Sequence, residues 1–140
     1  MCFECKNSIP KRGYHCDVCG ICIKQYDHHC TWINNCVGKR NIGRFIFFLI
    51  FLILSLGFIG LFSFLVLVSA ISDQPDIYKD WFSYRFNYNQ TMERILLIIL
   101  FTITFLTSLF IFPVFMLLLV QLKNLLKNKT TYETIRGPPE

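Results

Sequence analysis

Most of this chain has no cysteine and no histidine: none of the seven cysteines follows Cys36, and none of the three histidines follows His29. Residues 1–44 therefore hold every thiol and imidazole that could bind a soft metal. The net charge of +5 is modest, and the basic residues do not form the dense patch that phosphate backbones require. The composition predicts a small cysteine-rich module and argues against a nucleic-acid partner.

Charged residues are absent from two runs of 28 residues each, 45–72 and 95–122. About 20 helical residues suffice to cross the hydrocarbon of a bilayer, and backbone polar groups in lipid must be paired within their own segment. Both runs are therefore predicted to be transmembrane helices. Their length argues against the alternative of a buried helix in a soluble domain. Both runs are internal, which distinguishes them from a signal peptide.

The charges of the segments that flank these runs predict an orientation. Residues 1–44 hold seven basic and three acidic residues, and residues 123–140 hold four and two. The loop 73–94 holds three basic and four acidic residues. The positive-inside rule places both termini in the cytosol and the loop on the lumenal or extracellular side. The aromatic residues of the loop are typical of a segment at the membrane interface.

In this orientation the cysteines face a reducing compartment, so paired cysteines indicate metal ligands rather than disulfides. Tetrahedral zinc takes four nitrogen or sulfur ligands, and two Cys3His sites would use six cysteines and two histidines. Adjacent ligands such as His15 and Cys16 point apart, which favours two interleaved sites. The segment is too short to bury a core, so metals are predicted to supply much of its folding free energy. A disulfide-bonded module and an iron–sulfur cluster are the alternatives.

One cysteine and one histidine remain after two such sites are filled. A free thiol beside an imidazole suits nucleophilic chemistry, because the imidazole takes the thiol proton and a carboxylate can orient the imidazole. Asp27, His28 and Cys30 offer these three groups within four residues. The spacing leaves open whether His28 or His29 binds metal, and whether Cys30 is an idle buried thiol.

Residues 2–45 closely resemble the Asp-His-His-Cys (DHHC) cysteine-rich domain of the membrane-bound protein S-acyltransferases, also called palmitoyltransferases. Beyond the spans, Thr130-Thr131-Tyr132-Glu133 matches the family's Thr-Thr-x-Glu motif. The matched positions in the cysteine-rich segment are Cys2, Cys5, Pro10, Arg12, His15, Cys16, Cys19, Cys22, Asp27, His28, His29, Cys30, Trp32, Cys36, Asn41 and Phe45. Family members usually have four spans, so we expect a fragment, a trimmed gene model or a truncated product that lacks the first two.

The resemblance implies a membrane α-helical fold. It contains a small cytosolic two-zinc domain of short β-hairpins and loops at 1–44, transmembrane helices at 45–72 and 95–122, and a cytosolic tail at 123–140. It implies that Cys30 is the nucleophile, that His28 is its base and that Asp27 orients His28. The implied zinc ligands are Cys2, Cys5, His15 and Cys22 for the first ion, and Cys16, Cys19, His29 and Cys36 for the second.

The implied reaction moves a long-chain acyl group from palmitoyl-CoA, or another acyl-CoA, to membrane-proximal cysteines of proteins through an acyl-Cys30 intermediate. Trp32, Phe45 and Phe48 match positions at the mouth of the acyl cavity. Thr130, Thr131 and Glu133 would anchor the tail near the active site. The family resemblance implies an integral membrane protein of the Golgi, endoplasmic reticulum or plasma membrane.

Five basic residues of the cysteine-rich segment are candidate ligands for the CoA phosphates, because charge-assisted contacts suit phosphate groups; they are Lys11, Arg12, Lys39, Arg40 and Arg44. Interfacial anchoring is the alternative use for these side chains. Two other functions remain open: a membrane-anchored zinc module that recruits partners, and an inactive fragment of the enzyme. Weak turnover is expected from these 140 residues, since the acyl cavity would lack half of its wall.

Overall fold

Two long helices and two small hairpins account for most of the secondary structure. The structure is a computed structural model that describes residues 1–71 and 90–137. The three α-helices are α1 (Ile42–Ile71), α2 (Gln90–Leu126) and α3 (Thr131–Arg136). The four strands are β1 (Tyr14–Cys16), β2 (Ile21–Ile23), β3 (His28–Cys30) and β4 (Asn35–Val37). The predicted combination of short hairpins and two long apolar helices is confirmed.

The hairpins are antiparallel and very short. Strand β1 pairs with β2, and β3 pairs with β4. The loop inside each hairpin ends at a residue with positive φ, Gly20 (65°) in the first and Asn34 (46°) in the second. Glycine and asparagine adopt this left-handed conformation at lower cost than other residues. Isolated two-stranded hairpins are marginally stable in water, so other interactions must hold these two in place.

Residues 42–69 and 94–126 form helices long and apolar enough to cross a membrane, and the most apolar window of each has a mean hydropathy of 2.9 and 2.8, respectively. The fraction of buried residues in their most apolar windows is 17% and 0%. A core helix of a soluble protein would be mostly buried, so these helices suit lipid better than a protein interior. Most of the predicted loop 73–94, including its aromatic residues, lies outside the described residues.

The hairpins and the tail belong to one compact unit, formed by residues 1–50 and 116–140. Three tyrosine rings join helix α3 to the hairpins. The ring of Tyr132 lies 4.6 Å from that of Tyr14 and 5.6 Å from that of Tyr26, measured between centroids. The rings of Tyr14 and Tyr26 lie 5.3 Å apart. Aromatic pairs at these distances contribute about 0.5–1.5 kcal/mol each beyond their burial.

Of the described residues, 51–71 and 90–115 form a second compact unit. Within it, a Cβ added at Gly60 would lie 2.8 Å from Oγ1 of Thr107, so the missing side chain allows a close approach of the two helices. The Thr107 hydroxyl also donates to the carbonyl of Ile103 at 2.9 Å. That bond satisfies the polar group within its own helix, as an apolar surrounding requires.

Candidate metal centres and active site

Each hairpin places one histidine directly opposite one cysteine. His15 of β1 faces Cys22 of β2, and His29 of β3 faces Cys36 of β4. Opposed residues of an antiparallel pair project from the same face, with Cβ atoms about 5 Å apart. Each hairpin therefore presents one imidazole and one thiol that can bind the same ion.

A Cys-x2-Cys turn completes each set of four potential ligands. All ligand atoms of a set lie within 4.8 Å of one another. The first set is Cys2, Cys5, His15 and Cys22, and the second is Cys16, Cys19, His29 and Cys36. The structure thus brings together the residues that the family resemblance implies for each zinc ion.

The distances within both sets fit tetrahedral zinc. Donor atoms bonded to Zn²⁺ at 2.0–2.3 Å lie about 3.6–3.8 Å from one another. In the first set, Nδ1 of His15 lies 3.3–3.8 Å from the three sulfurs. In the second set, Nδ1 of His29 lies 3.4–3.7 Å from them. Neighbouring sulfurs are 3.6 Å apart between Cys22 and Cys5, and 3.3 Å apart between Cys36 and Cys19.

The crowding of thiols also fits a bound cation. Burial and, after it, the nearby sulfurs of Cys2 and Cys5 together raise the pKa of Cys22 to about 12. Burial is likewise the largest cause that raises the pKa of Cys36. Three clustered thiols cannot all ionise unless a positive charge lies among them. A divalent metal removes this conflict because it binds the thiolate form. Both sets therefore fit structural zinc.

A repeat in the sequence could have assigned these ligands without knowledge of the family. Both sets follow the pattern Cys-x2-Cys-x9-His-x6-Cys, and the second copy is displaced by 14 residues, from Cys2 to Cys16 and from Cys22 to Cys36. Two overlapping copies pair each Cys-x2-Cys turn with the hairpin that follows it. They leave His28 and Cys30 outside both sets.

His28 and Cys30 lie on one face of strand β3. Side chains alternate along a strand, so these two project together and His29 projects to the opposite face with Cys36. Cys30 is 8% exposed. The alternation answers the question that spacing left open, because His29 lies among the ligand atoms of the second set and His28 does not.

Asp27 orients the His28 ring. Nδ1 of His28 lies 2.7 Å from Oδ2 of Asp27. An ionised carboxylate only accepts hydrogen bonds, so Nδ1 carries the proton and donates it to this bond. In the neutral ring, Nε2 then has a free lone pair that can accept a proton.

Asp27 is buried and is itself held by the end of helix α2 and the start of α3. Oδ1 of Asp27 accepts the backbone N–H of Thr131 at 2.6 Å, and Oδ2 accepts Nε2 of Gln121 at 3.1 Å. Burial raises the pKa of Asp27, but the hydrogen bonds from His28, Thr131 and Gln121 outweigh it and lower the pKa overall. Asp27 therefore stays ionised, as an acceptor for Nδ1–H must.

Gln121 is a member of this network that the sequence reasoning missed. Its side chain is 2% exposed, and Nε2 also donates to Oγ1 of Thr131 at 3.1 Å. In the sequence it is a single polar residue near the end of an uncharged apolar run. Only its contact with Asp27, 94 positions away, indicates a role.

The Thr-Thr-x-Glu motif caps helix α3 and fastens it to the hairpins. Oγ1 of Thr130 accepts the N–H of Glu133, and the Glu133 carboxylate accepts the N–H of Thr130, which forms a capping box. Nε and Nη2 of Arg12 donate to the two oxygens of Glu133 at 2.5 and 2.6 Å. Nη2 of Arg12 also donates to the carbonyl of Asn128 at 2.8 Å. Arg12, a candidate phosphate ligand by sequence, is thus engaged within the protein.

We expect Glu133→Gln to destabilise this unit by about 2 kcal/mol at pH 7, because it leaves a partly buried guanidinium without its charged partner. Arg12 is the main cause that lowers the pKa of Glu133. The stabilisation is therefore complete above the ordinary carboxyl pKa and declines only as the pH falls below it. Urea unfolding of the zinc-saturated chain, followed by near-ultraviolet circular dichroism of the tyrosine cluster, measures the loss.

Arg12→Gln and the double variant complete a double-mutant cycle for this ion pair. The double variant should lose less stability than the sum of the two single variants. Additive losses would contradict a direct interaction between Arg12 and Glu133.

The resemblance assigns some residues to contacts with the acyl chain and others to contacts with CoA. In the structure, some of these residues line a cleft and the others lie outside it. A cleft of about 320 Å³ is lined by Ile33, Asn35, Asn41, Arg44, Phe45 and Phe48. Phe45 is buried and meets the His28 ring edge-on, with centroids 5.2 Å apart. Trp32 is 87% exposed beside this region, and Lys39 and Arg40 are exposed outside the cleft.

Comparisons with known proteins agree with this geometry. Residues 1–138 match the family model of the DHHC palmitoyltransferases. The chain is similar to palmitoyltransferase ZDHHC14 of Mus musculus, with 46% identity over 70 residues that make up 50% of this chain and 14% of that protein. It is also similar to palmitoyltransferase ZDHHC8 of Drosophila melanogaster, with 46% identity over 76 residues, or 54% of this chain and 8% of that protein.

A third relative is palmitoyltransferase ZDHHC18 of Homo sapiens, with 45% identity over 71 residues, or 51% of this chain and 17% of that protein. The matched segment covers less than a fifth of each of these three relatives. The family model, in contrast, matches nearly the whole of this chain. On these grounds the chain belongs to the DHHC palmitoyltransferase family.

Proposed function

We propose that this chain carries the active site of a protein S-acyltransferase that moves long-chain acyl groups from acyl-CoA to cysteine thiols of proteins. The observation that carries the proposal is that Cys30 belongs to neither metal set, although all seven cysteines lie in the described residues. Beside it, His28 is oriented by Asp27 at 2.7 Å. Membership of the DHHC family supports the same activity.

In the first step, the Cys30 thiol gives its proton to Nε2 of His28, and the thiolate attacks the thioester carbonyl carbon of acyl-CoA. A bond forms between that carbon and Sγ of Cys30. The bond from the carbon to the CoA sulfur breaks, and the departing thiolate takes the proton from His28. The product of this step is an acyl-Cys30 thioester.

In the second step, a cysteine thiol of the substrate protein gives its proton to His28 and attacks the acyl carbon. The bond to Cys30 breaks, and Cys30 leaves as a thiolate that recovers the proton. One thioester replaces another in each step, so the site has only to lower the barrier and exclude water. The burial of Cys30 supports the exclusion of water.

The two zinc ions would have a structural role in this mechanism. They would fix the hairpins and hold six cysteines as bound thiolates, which leaves Cys30 as the free nucleophile. The second set includes His29, which adjoins His28 on strand β3. Zinc at that set would therefore position the strand that carries both the base and the nucleophile.

The proposed setting is the cytosolic face of a membrane. Helices at 45–72 and 95–122 would cross the bilayer with both termini in the cytosol, and the loop 73–94 would lie on the other side. The cleft beside Phe45 and Phe48 would receive the acyl end of the substrate, with Trp32 near its mouth. The candidates for CoA phosphate contacts are Lys39, Arg40 and Arg44, of which Arg44 lines the cleft. Substrate proteins would present membrane-proximal cysteines.

Incubation of the zinc-loaded chain with a clickable palmitoyl-CoA analogue tests the proposal. We expect one covalent adduct, on Cys30, that hydroxylamine removes because it is a thioester. Mass spectrometry of the digested protein locates the adduct. Absence of an adduct in a sample that holds two zinc ions would contradict the proposal.

Cys30→Ser is the matched control for this experiment. The acyltransferase proposal predicts that it retains both zinc ions and forms no thioester. Loss of a zinc ion in Cys30→Ser would instead make Cys30 a ligand and favour a zinc module that recruits partners.

A further inference from the structure

The 14-residue repeat extends beyond the eight ligands to the backbone of three turns. We call them turn 1 (residues 2–6), turn 2 (16–20) and turn 3 (30–34). Each begins at a cysteine and ends four residues later at a residue with positive φ. The final residues are Lys6 (54°), Gly20 (65°) and Asn34 (46°). The same combination of a cysteine and, four residues later, a positive φ therefore recurs at positions 14 residues apart.

The pairing of residues across the three turns is also the same. The first cysteine of each turn pairs with the residue five positions later. In turn 1, the N–H of Cys2 donates to the carbonyl of Asn7 at 2.8 Å. In turns 2 and 3, Cys16 faces Ile21 and Cys30 faces Asn35. All three turns thus reverse the chain with the same pairing, and turns 2 and 3 are the tips of the two hairpins.

A backbone hydrogen bond closes each turn. The N–H of Lys6 donates to the carbonyl of Cys2 at 3.0 Å, and the N–H of Gly20 donates to that of Cys16 at 2.8 Å. In turn 3, the N–H of Asn34 donates to the carbonyl of Thr31 at 3.2 Å, which makes this turn one residue tighter. The first cysteines of turns 2 and 3 are similarly buried, with Cys16 3% and Cys30 8% exposed.

The turns differ in the side chain at their fourth position. Turns 1 and 2 carry the second zinc cysteine there, whereas turn 3 carries Ile33. The repeat would also require a histidine at position 43 and a cysteine at position 50, where the chain has Gly43 and Ile50 within helix α1. The chain therefore enters a helix where a further metal-binding hairpin would have followed.

We propose that Cys30 occupies the first-ligand position of a third zinc turn, and that Ile33, in place of its second cysteine, keeps the Cys30 thiol free of metal. The inference rests on the two-zinc part of the proposed function and does not require acyl transfer. Cys30 and His28 alone would leave two of four coordination positions to water, whereas closed zinc sites in proteins have four protein ligands. An apolar side chain at position 33 removes the chelating thiol pair.

The substitution Ile33→Cys tests this directly. It restores a Cys-x2-Cys pair in a turn that shares the pairing and the final positive φ of turns 1 and 2. With His28, the pair provides three protein ligands, as many as open zinc sites use. Both thiols of the pair lose their protons when they bind the ion. We expect three zinc ions per chain in place of two, and alkylation of Cys30 slower than in the parent by at least about tenfold.

The measurement uses the full chain in detergent micelles with a phosphine reductant, saturated with zinc and then desalted. Metal content is determined per chain, and the alkylation of each cysteine is followed by mass spectrometry. Thr31→Cys is the matched control, because it adds a thiol at an exposed position directly after Cys30, where adjacent side chains point apart and cannot bind one ion together. It should bind two zinc ions and leave Cys30 as reactive as in the parent.

Two zinc ions in Ile33→Cys, with Cys30 alkylated at the parental rate, would overturn the inference. If Ile33→Cys makes the six ligand cysteines reactive, Ile33→His is used in its place, because it supplies a nitrogen ligand at the same position. Zinc content and the alkylation rate of Cys30 are then measured in Ile33→His. Fewer than two zinc ions in the parent would refute the zinc sites of the proposed function. Two ions in both the parent and a folded variant would refute only the role of Ile33.

Discussion

Alanine at position 28 should slow the acylation of Cys30 by about 10²–10⁴-fold, the usual size of a general acid–base contribution. In the structure, Nδ1 of His28 donates to Asp27, and the proposed mechanism assigns the Cys30 proton to the other ring nitrogen, Nε2. Without the imidazole, the thiol loses its proposed base, and Asp27 does not replace it because Thr131 and Gln121 hold the Asp27 carboxylate. Single-turnover labelling with acyl-CoA isolates this step, since no substrate protein is present.

Asp27→Asn tests how much the orientation of His28 contributes, because the variant keeps the imidazole and changes only its partner. An asparagine amide nitrogen in place of Oδ2 would donate to Nδ1 of His28 rather than accept from it. The ring proton would then lie on Nε2, which could no longer take the thiol proton. We expect a loss of similar size to that of His28→Ala, although the imidazole is present.

Both variants should retain two zinc ions, because neither residue belongs to a metal set. Lys24→Gln, at an exposed position on the same segment, should acylate at the parental rate. Parental acylation in His28→Ala with normal zinc content would show that Cys30 uses another base, and the proposed mechanism would fail.

Removal of the metal should unfold the cysteine-rich segment completely. Its strands are three residues long, and its two hairpins have little apolar side-chain area to bury. Structural zinc in comparable small modules contributes about 10–16 kcal/mol of apparent binding free energy, more than the whole stability of most small domains. A chelator should therefore make all seven cysteines reactive, whereas in the zinc-loaded chain we expect only Cys30, which is outside both metal sets, to react.

Helices α1 and α2 should survive chelation, because their backbone hydrogen bonds lie within each helix. Far-ultraviolet circular dichroism should accordingly keep most of its helical signal while thiol reactivity rises. Added zinc should restore protection, and magnesium should not, since magnesium prefers oxygen ligands. Continued protection of the six ligand cysteines after complete metal removal would show that the hairpins fold without metal.

The sequence predicted those features that depend on neighbouring residues. The uncharged runs 45–72 and 95–122 predicted the long helices, because lipid excludes charge and unpaired backbone groups. The residue types in the first 44 positions predicted two metal sites. The choice between His28 and His29 needed the alternation of side chains along β3, which spacing did not supply.

Contacts between residues far apart in the chain could not be predicted from the sequence. Arg12 and Glu133 are 121 positions apart. Taken alone, Arg12 resembles an ordinary surface cation, and Glu133 resembles an ordinary helix-capping residue. Gln121 is a single amide in an apolar run, and its neighbours in the sequence do not indicate a role for it. Arg12, Glu133 and Gln121 have these roles only because the end of α2 and the tail pack against the hairpins. No periodic pattern in the sequence indicates that packing.

The hydrogen bond from the Thr131 N–H to Asp27 also determines when the site can form during synthesis. Residues 27 and 131 are 104 positions apart, so a nascent chain can fold both hairpins long before its tail leaves the ribosome. Until then Asp27 lacks two of its partners, and the imidazole beside it is not firmly aligned. We therefore expect growing chains to resist premature acylation, so that the protein acquires its chemistry only after the tail has been translated.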